Sequence, residues 1–132
     1  MTKRKKPYNY GNHEKLIAWQ MADQLDMIVQ EILRFIPKNE YKLRSQVDNA
    51  SDSVGSNIVE GHYSGLLGEL IRFLRYSRRS VGELQERVRR VLRKGYIKEE
   101  LFNKFNEVAI KTGYIIDRLI QSKEKEIAEE DE

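Results

Sequence analysis

Apolar residues recur every three or four positions through four long stretches of this sequence, which is the period of an α-helix and not of a β-strand. The stretches cover residues 13–36, 40–60, 66–94 and 98–123, and the segments between them are short. Amphipathic helices with short connections fold most simply by packing their apolar stripes together. The pattern therefore predicts an all-α fold, an antiparallel four-helix bundle with up-down-up-down topology.

The second stretch, residues 40–60, is the least regular of the four. Leu43, Val47 and Val54 keep helical spacing, but Ser, Asp, Asn and Gly surround them, and these residues are poor helix formers. A helix is the interpretation that fits the spacing, and a partly irregular segment is the alternative.

The length of 132 residues suits a single domain. Cysteine is absent, which excludes disulfides, thiol nucleophiles and thiolate metal sites. No apolar run is long enough for a membrane span, and the N-terminus lacks the apolar stretch of a signal peptide, so we expect a cytoplasmic protein. We divide the chain into a basic flexible arm (residues 1–12), the bundle (13–123) and an acidic flexible tail (124–132).

The third predicted helix has the most uneven charge in the chain. Residues 72–94 contain nine basic residues and only two acidic ones, Glu83 and Glu86. The nine are Arg72, Arg75, Arg78, Arg79, Arg87, Arg89, Arg90, Arg93 and Lys94. A second basic element lies in the arm and consists of Lys3, Arg4, Lys5 and Lys6. Guanidinium groups form bidentate contacts with phosphates, and Tyr76 offers a stacking surface, so we predict that these elements bind nucleic acid.

Two other interpretations of the arginines stay open. One is a solvated helix face joined by ion pairs four residues apart, Glu83 with Arg87 and Glu86 with Arg90. Two acids cannot neutralise nine bases, so most of the positive charge would remain. The other is pairing with acidic residues on other helices, such as Asp23, Asp26 and Glu31.

The sequence predicts neither an active site nor a metal site. Its two histidines, His13 and His62, form no HExxH motif and no pair four residues apart, and a glycine-rich phosphate loop is absent. Ser56, Glu60 and His62 have no mutual geometry that the sequence defines. The simpler interpretation makes His62 a turn residue and Glu60 a local cap or ion-pair partner. We therefore expect no enzymatic activity and no cofactor.

Asn57 and Glu60 lie one turn apart on the second predicted helix. We predict that they belong to a hydrogen-bond network that fixes helix packing within the bundle or between subunits, because buried Asn and Glu require partners. Binding of a ligand at the pore of a ring is the alternative.

The fourth predicted helix has more apolar residues than one narrow seam requires. Those beside the seam are Phe102, Ala109, Ile116 and Ile120. Since a small bundle rarely exposes so wide an apolar band, we predict that the excess is buried between subunits of a homo-oligomer.

Several motifs follow one another in the middle of the chain. They are SVGSNIVEG at 53–61, ELIRFL at 69–74, SVGEL at 80–84 and GYI at 95–97. Together with Trp19 and the segment 35–43, they make residues 14–122 similar to the four helix bundle protein family, whose members are encoded by intervening sequences of bacterial 23S rRNA genes.

This resemblance implies a bundle that assembles into a ring, usually a pentamer, without an established enzymatic activity. The family is similar in fold to the accessory variability determinant of diversity-generating retroelements, a basic pentamer that binds nucleic acid and a reverse transcriptase. His62 and the basic residues 3–6 depart from the family pattern and leave the branch of the family open.

We therefore expect a non-enzymatic homopentameric scaffold that binds RNA or DNA through phosphate contacts. A reverse transcriptase as a further partner rests on the resemblance alone. The alternative function is a structural or protein-interaction bundle whose arginines serve subunit contacts.

Overall fold

The computed structural model describes residues 6–9 and 11–129, and these residues form four α-helices. The helices are α1 (Ile17–Leu33), α2 (Tyr41–His62), α3 (Leu67–Arg93) and α4 (Glu99–Glu129), and a 3-10 turn at His13–Lys15 precedes α1. No β-strand occurs in this part of the chain, where the only strand-like pairing is an isolated bridge between Pro7 and Leu66. The predicted all-α fold is confirmed, and residues 40–60 are helical rather than irregular.

The four helices lie at the corners of a square in chain order. Helix α1 therefore packs against α2 and α4 and lies diagonally opposite α3. The order of the contacts shows that neighbours are antiparallel. Ser77 Oγ in α3 donates to the Val54 carbonyl oxygen in α2 at 2.6 Å, whereas Lys94, just after α3, contacts Glu40, just before α2. The topology is therefore up-down-up-down.

Within the described residues, no helix is both long enough and apolar enough to cross a membrane.

The apolar core divides into two clusters along the bundle. One lies at the end where α1 connects to α2 and α3 to α4, and it is built around Leu25, Ile32, Leu84 and Phe105. The other lies at the opposite end and is built around Ile58, Leu70, Leu74 and Ile116. The helical period of the sequence directs these residues to the inside of the bundle, as expected.

Small residues let α2 and α3 approach closely at the second cluster. A Cβ placed on Gly61 would lie 2.8 Å from the Cβ of Phe73 and 3.2 Å from the Cα of Leu70. Further along the same pair of helices, the buried hydroxyl of Ser77 bonds to the α2 backbone. The two helices therefore pack more closely here than larger side chains would allow.

Arg44 caps the C-terminal end of α1 from the neighbouring helix. Its Nη1 donates to the carbonyl oxygens of Leu33 and Ile36, each at 2.7 Å. Leu33 is the last residue of α1 and Ile36 lies in the turn that follows, where carbonyl groups have no helical partner and a positive charge is favourable.

Part of the predicted flexible arm is held on the bundle. The backbone of residues 6–9 pairs with the loop between α2 and α3, since Leu67 N donates to the Lys6 carbonyl oxygen and Tyr8 N to the Gly65 carbonyl oxygen. Gly65 adopts a positive φ of 78° in this loop, which favours glycine. Tyr8 is buried. The boundary predicted at residue 12 therefore lies too late for these residues, and residues 1–5 and 10 lie outside the described part.

The predicted acidic tail is also shorter than expected. Helix α4 continues six residues beyond the predicted end at 123, because Ile127 extends the apolar side of the helix and packs against the second core cluster. Residues 124–129 therefore belong to the bundle, and residues 130–132 lie outside the described part.

The apolar band beside the seam of α4 is buried within the single chain. Phe102, Ala109 and Ile116 all lie in the core, and Ile120 is partly buried against the second core cluster, so the three core residues are not available to a second subunit. The four-sided packing buries a wider stripe of each helix than a two-helix seam does. The premise of the predicted homo-oligomer was wrong for these residues, and another surface must be considered.

We predict that Gly61→Ala lowers the free energy of unfolding by about 1–3 kcal/mol, because the new methyl group overlaps Phe73 and the α3 backbone. Gly82→Ala is the matched control in α3: no atom lies within 4 Å of its Cβ position, so alanine should raise stability by about 0.5–1 kcal/mol through helix propensity. Urea denaturation followed by circular dichroism measures both. A stabilising Gly61→Ala would contradict the close approach.

Candidate nucleic-acid interface

Helix α3 follows a regular heptad, which determines where its arginines lie. The buried positions alternate by three and four residues along the helix. The heptad positions are Leu67, Leu70, Leu74, Ser77, Val81, Leu84, Val88 and Val91, and Gly68, Ile71 and Ser80 beside them are buried as well. Residues opposite these positions face away from the bundle. We call this surface the outer face of α3, and its basic residues are Arg72, Arg75, Arg79, Arg89, Arg90 and Arg93.

Two arginines of the outer face have carboxylate partners. Arg72 Nη2 lies 2.6 Å from Glu69 Oε2, which raises the pKa of the guanidinium, and Arg75 pairs with Glu124 of α4. Both pairs are exposed, so water screens them. These arginines remain able to exchange a carboxylate for a phosphate.

Two of the predicted basic residues, Arg78 on the side of α3 and Lys94 just after its last residue, make contacts within the bundle. Arg78 Nε donates to the Asp117 carboxylate at 3.1 Å, and its guanidinium lies over Gly113 of α4. Lys94 Nζ donates to Glu40 at 2.7 Å. Hydrogen bonds from Lys94 and from the Tyr96 hydroxyl lower the pKa of the Glu40 carboxyl. Arg78 and Lys94 thus contact carboxylates of the bundle itself, and their contact with nucleic acid stays a prediction.

Five arginines of α3 have no ion-pair partner within residues 6–9 and 11–129. They are Arg79, Arg87, Arg89, Arg90 and Arg93. The pairs expected from spacing, Glu83 with Arg87 and Glu86 with Arg90, do not form. Nor do the acids of α1 neutralise this helix: Glu31 pairs with Lys104, and Asp26 accepts a hydrogen bond from Ser51. The positive charge of α3 is therefore largely uncompensated.

Aromatic side chains divide the outer face into two halves. In the N-terminal half, the Arg72 Cζ lies 5.0 Å from the ring centroid of Phe73 and 5.7 Å from that of Tyr76. The Arg79 Cζ lies 5.6 Å from the Tyr76 ring. We call these four residues the aromatic–arginine cluster. Phe73 is half-buried, and its ring belongs to this surface.

The C-terminal half of the outer face has arginines without aromatic neighbours on the same helix. Arg89 extends toward α4, where its Cζ lies 5.5 Å from the Phe102 ring centroid, and Arg90 and Arg93 are exposed. Between the two halves lie Gly82 and Glu83, both exposed, followed by the exposed Glu86.

The predicted basic arm begins beside the N-terminal half of the outer face. The Lys6 carbonyl oxygen accepts a hydrogen bond at 2.8 Å from the backbone of Leu67, the first residue of α3. Lys3, Arg4 and Lys5 lie outside the described residues. The hydrogen bond brings Lys6 to the N-terminal end of α3.

Asn57 and Glu60 do not bond to each other. The Asn57 Nδ2 donates to the Ser53 carbonyl oxygen one turn earlier in α2, at 2.8 Å, and Glu60 is exposed. The single chain therefore contains no polar network between these two residues, and their role at a subunit contact stays a prediction.

His62 is a buried residue at the end of α2 and not the turn residue that the sequence indicated. Its Nε2 donates to the Gly11 carbonyl oxygen, and the Tyr8 hydroxyl then donates to its Nδ1 at 2.9 Å. Because both ring nitrogens are occupied, His62 serves as a structural anchor for the N-terminal segment. Sequence reasoning missed this role because it depends on the contact with Tyr8, which lies 54 residues earlier in the chain.

The other histidine of the sequence lies outside the core. His13 bonds to the Tyr63 hydroxyl at the surface, 3.0 Å from Nδ1 to Oη. Within the described residues, no group of three or more His, Asp and Glu side chains lies close enough to hold a metal ion.

The fold and this surface define a class of small all-α protein, a four-helix bundle in which one helix presents an arginine-rich outer face. Within that class, the chain belongs to the 23S rRNA-intervening sequence protein family, whose family model matches residues 14–118. The resemblance found in the sequence is thus confirmed. Among curated proteins, none matches the chain.

A solved structure shares the fold. It is a protein of unknown function from the S23 ribosomal protein family of Bacteroides thetaiotaomicron, with a TM-score of 0.73 and 16% sequence identity. The match covers 79% of this chain and 98% of that one. At this identity the likeness concerns the fold alone. Neither the family description nor that of the structure names an enzymatic activity.

We predict that Arg78 is coupled energetically to Asp117, whereas Arg79 is not. A double-mutant cycle of Arg78→Gln and Asp117→Asn should give a coupling of about 0.5–1 kcal/mol, small because solvent reaches both groups. The same cycle with Arg79→Gln should give about zero. Urea denaturation supplies the free energies, and equal couplings in the two cycles would contradict the division between flank and outer face.

Proposed function

We propose that this protein is a non-enzymatic, oligomeric scaffold that binds RNA or DNA through the outer face of α3. Arginines without carboxylate partners support this function, above all Arg79, Arg90 and Arg93, which are exposed. An exposed arginine that has no counter-charge in the protein can bind an external anion. A guanidinium matches the geometry of a phosphate and binds it with two parallel hydrogen bonds.

Binding of this kind follows the phosphate backbone and reads little sequence. Each neutralised phosphate releases counterions, so affinity falls steeply with salt concentration. One α3 face offers few such contacts. Several copies of the face in one assembly raise the overall affinity without new contacts, which makes oligomerisation part of the proposal.

An apolar surface on the other side of the bundle supports the oligomer. Ile17 of α1 and Ile110 and Tyr114 of α4 are 62%, 58% and 60% exposed, and they lie near a groove of about 310 Å³ beside Met21. Assembly through this α1–α4 surface leaves the outer face of α3 open to a ligand. The number of five copies and a reverse transcriptase partner come to the proposal from the family resemblance.

The triple variant Arg79→Gln, Arg90→Gln, Arg93→Gln tests the binding surface. We expect weaker binding to a generic RNA or DNA and a slope of log affinity against log salt that shrinks by about 2–3, because each lost phosphate contact removes roughly 0.7–0.9. Fluorescence anisotropy at several salt concentrations measures both quantities, and circular dichroism should show unchanged helicity.

A matched control removes the same charge elsewhere. Lys15, Arg34 and Lys38 are exposed and lie just before or after α1, diagonally opposite α3, so their exchange for Gln should change the slope little. Equal losses in both triple variants would show that net charge and not the outer face governs binding. Dissociation of the oligomer by the α3 variant would instead favour arginines that serve subunit contacts.

The double variant Ile110→Asp, Tyr114→Asp tests the assembly. Both side chains are mostly exposed, so we expect a folded protein, while charges on the α1–α4 surface should shift sedimentation toward the monomer. Analytical ultracentrifugation measures the change. An unchanged sedimentation coefficient would move the subunit contact to another surface.

A further inference from the structure

The aromatic–arginine cluster differs from a simple phosphate-binding surface. Phe73 and Tyr76 form an edge-to-face pair, with ring centroids 5.7 Å apart and an angle of 89° between the rings. Arg72 and Arg79 lie one turn before and about one turn after Tyr76, and each approaches its ring. Two planar guanidinium groups and a phenol ring therefore lie next to one another on the outer face.

Phe73 anchors this arrangement, whereas Tyr76 is not needed by the core. Phe73 lies against Gly61 at the close approach of α2 and α3. Tyr76 belongs to the outer face, and its hydroxyl has only a long contact of 3.5 Å with Arg72. An aromatic ring that is held at the surface, half-buried and without a strong hydrogen bond, is suited to an external planar partner.

We propose that the aromatic–arginine cluster stacks unpaired nucleobases, so that the ligand of the outer face is single-stranded RNA or DNA. This inference rests on the proposed function. Every base has a π-face that stacks on tyrosine or on a guanidinium plane, whereas the faces of paired bases are covered by their neighbours in a duplex. The exposed cation–π contacts of Tyr76 are weak and exchange readily for a base.

The two halves of the outer face then have separate roles. The N-terminal half holds bases at Tyr76 and supplies Arg79 for an adjacent phosphate. The C-terminal half, with Arg90 and Arg93, contacts phosphates alone. Tyr76 and Arg90 are separated by 14 residues, about 21 Å along the helix, so one extended strand of several nucleotides can reach both.

Tyr76→Ala and Tyr76→Phe separate stacking from charge. We expect the full-length protein to bind a 20-nucleotide oligo(dT) more tightly than a duplex of 20 base pairs, which has the same number of nucleotides in each strand. Tyr76→Ala should weaken oligo(dT) binding by about 5- to 150-fold and leave its salt slope and the duplex affinity unchanged, because no phosphate contact is lost. Tyr76→Phe keeps the ring and should bind oligo(dT) like the wild type.

Cross-linking supplies a readout that does not depend on affinity. An RNA that contains 4-thiouridine should cross-link on irradiation to a peptide that includes Tyr76, and this cross-link should disappear in Tyr76→Ala.

The outcomes distinguish the inference from the function on which it rests. Equal binding of both probes, with Tyr76→Ala like the wild type and the arginine triple variant impaired, would overturn base stacking and keep phosphate binding. A smaller salt slope in Tyr76→Ala would also overturn stacking, since it would assign the loss to phosphate contacts. Absence of binding to either probe at low salt would overturn both proposals.

Discussion

The contact between α2 and α3 at Gly61 sets the rotation of α3, and most other features of the molecule depend on that rotation. With only a hydrogen atom on Gly61, the backbone of α3 near Leu70 can approach α2, and Phe73 packs directly against the glycine. The Ser77 hydroxyl fixes the same helices further along by bonding to the Val54 carbonyl oxygen. A helix held at two points cannot turn about its axis. Its buried heptad positions therefore face inward, and its arginines face water.

Sequence periodicity was sufficient for the fold because burial follows the same period as the helix. All four helices lie within a few residues of their predicted bounds, and even the serine-rich α2 is helical, since tertiary packing outweighs weak propensity. The ends were less predictable. The contact of Tyr8 with His62 depends on chain segments 54 residues apart, and Ile127 packs only because the bundle offers it a surface.

The sequence was enough to predict the region of the candidate surface, but not the role of each arginine in it. The excess of arginine in residues 72–94 is visible in the sequence, but its partners are set by neighbouring helices. Arg78 lies beside Asp117 because Gly113 leaves room for the guanidinium on α4, and this depends on the register of two helices. By contrast, Arg87 and Arg90 do not pair with acids four residues away, although spacing allows it. Exposed pairs of that kind gain little free energy, so spacing alone does not determine them.

The exposed segment Gly82, Glu83 and Glu86 has a consequence for how a strand lies on α3. Arg79 and Arg90 are 11 residues apart, about 16 Å, and between Arg79 and Arg87 the outer face has a glycine without a side chain and two negative charges. A polyanion is attracted at both ends of this interval and repelled in its middle. In the complex proposed above, the strand would therefore arch away from the helix there and leave its central nucleotides accessible to solvent. Chemical footprinting of the proposed complex should therefore show two short protected tracts around an open centre, spaced like the arginines.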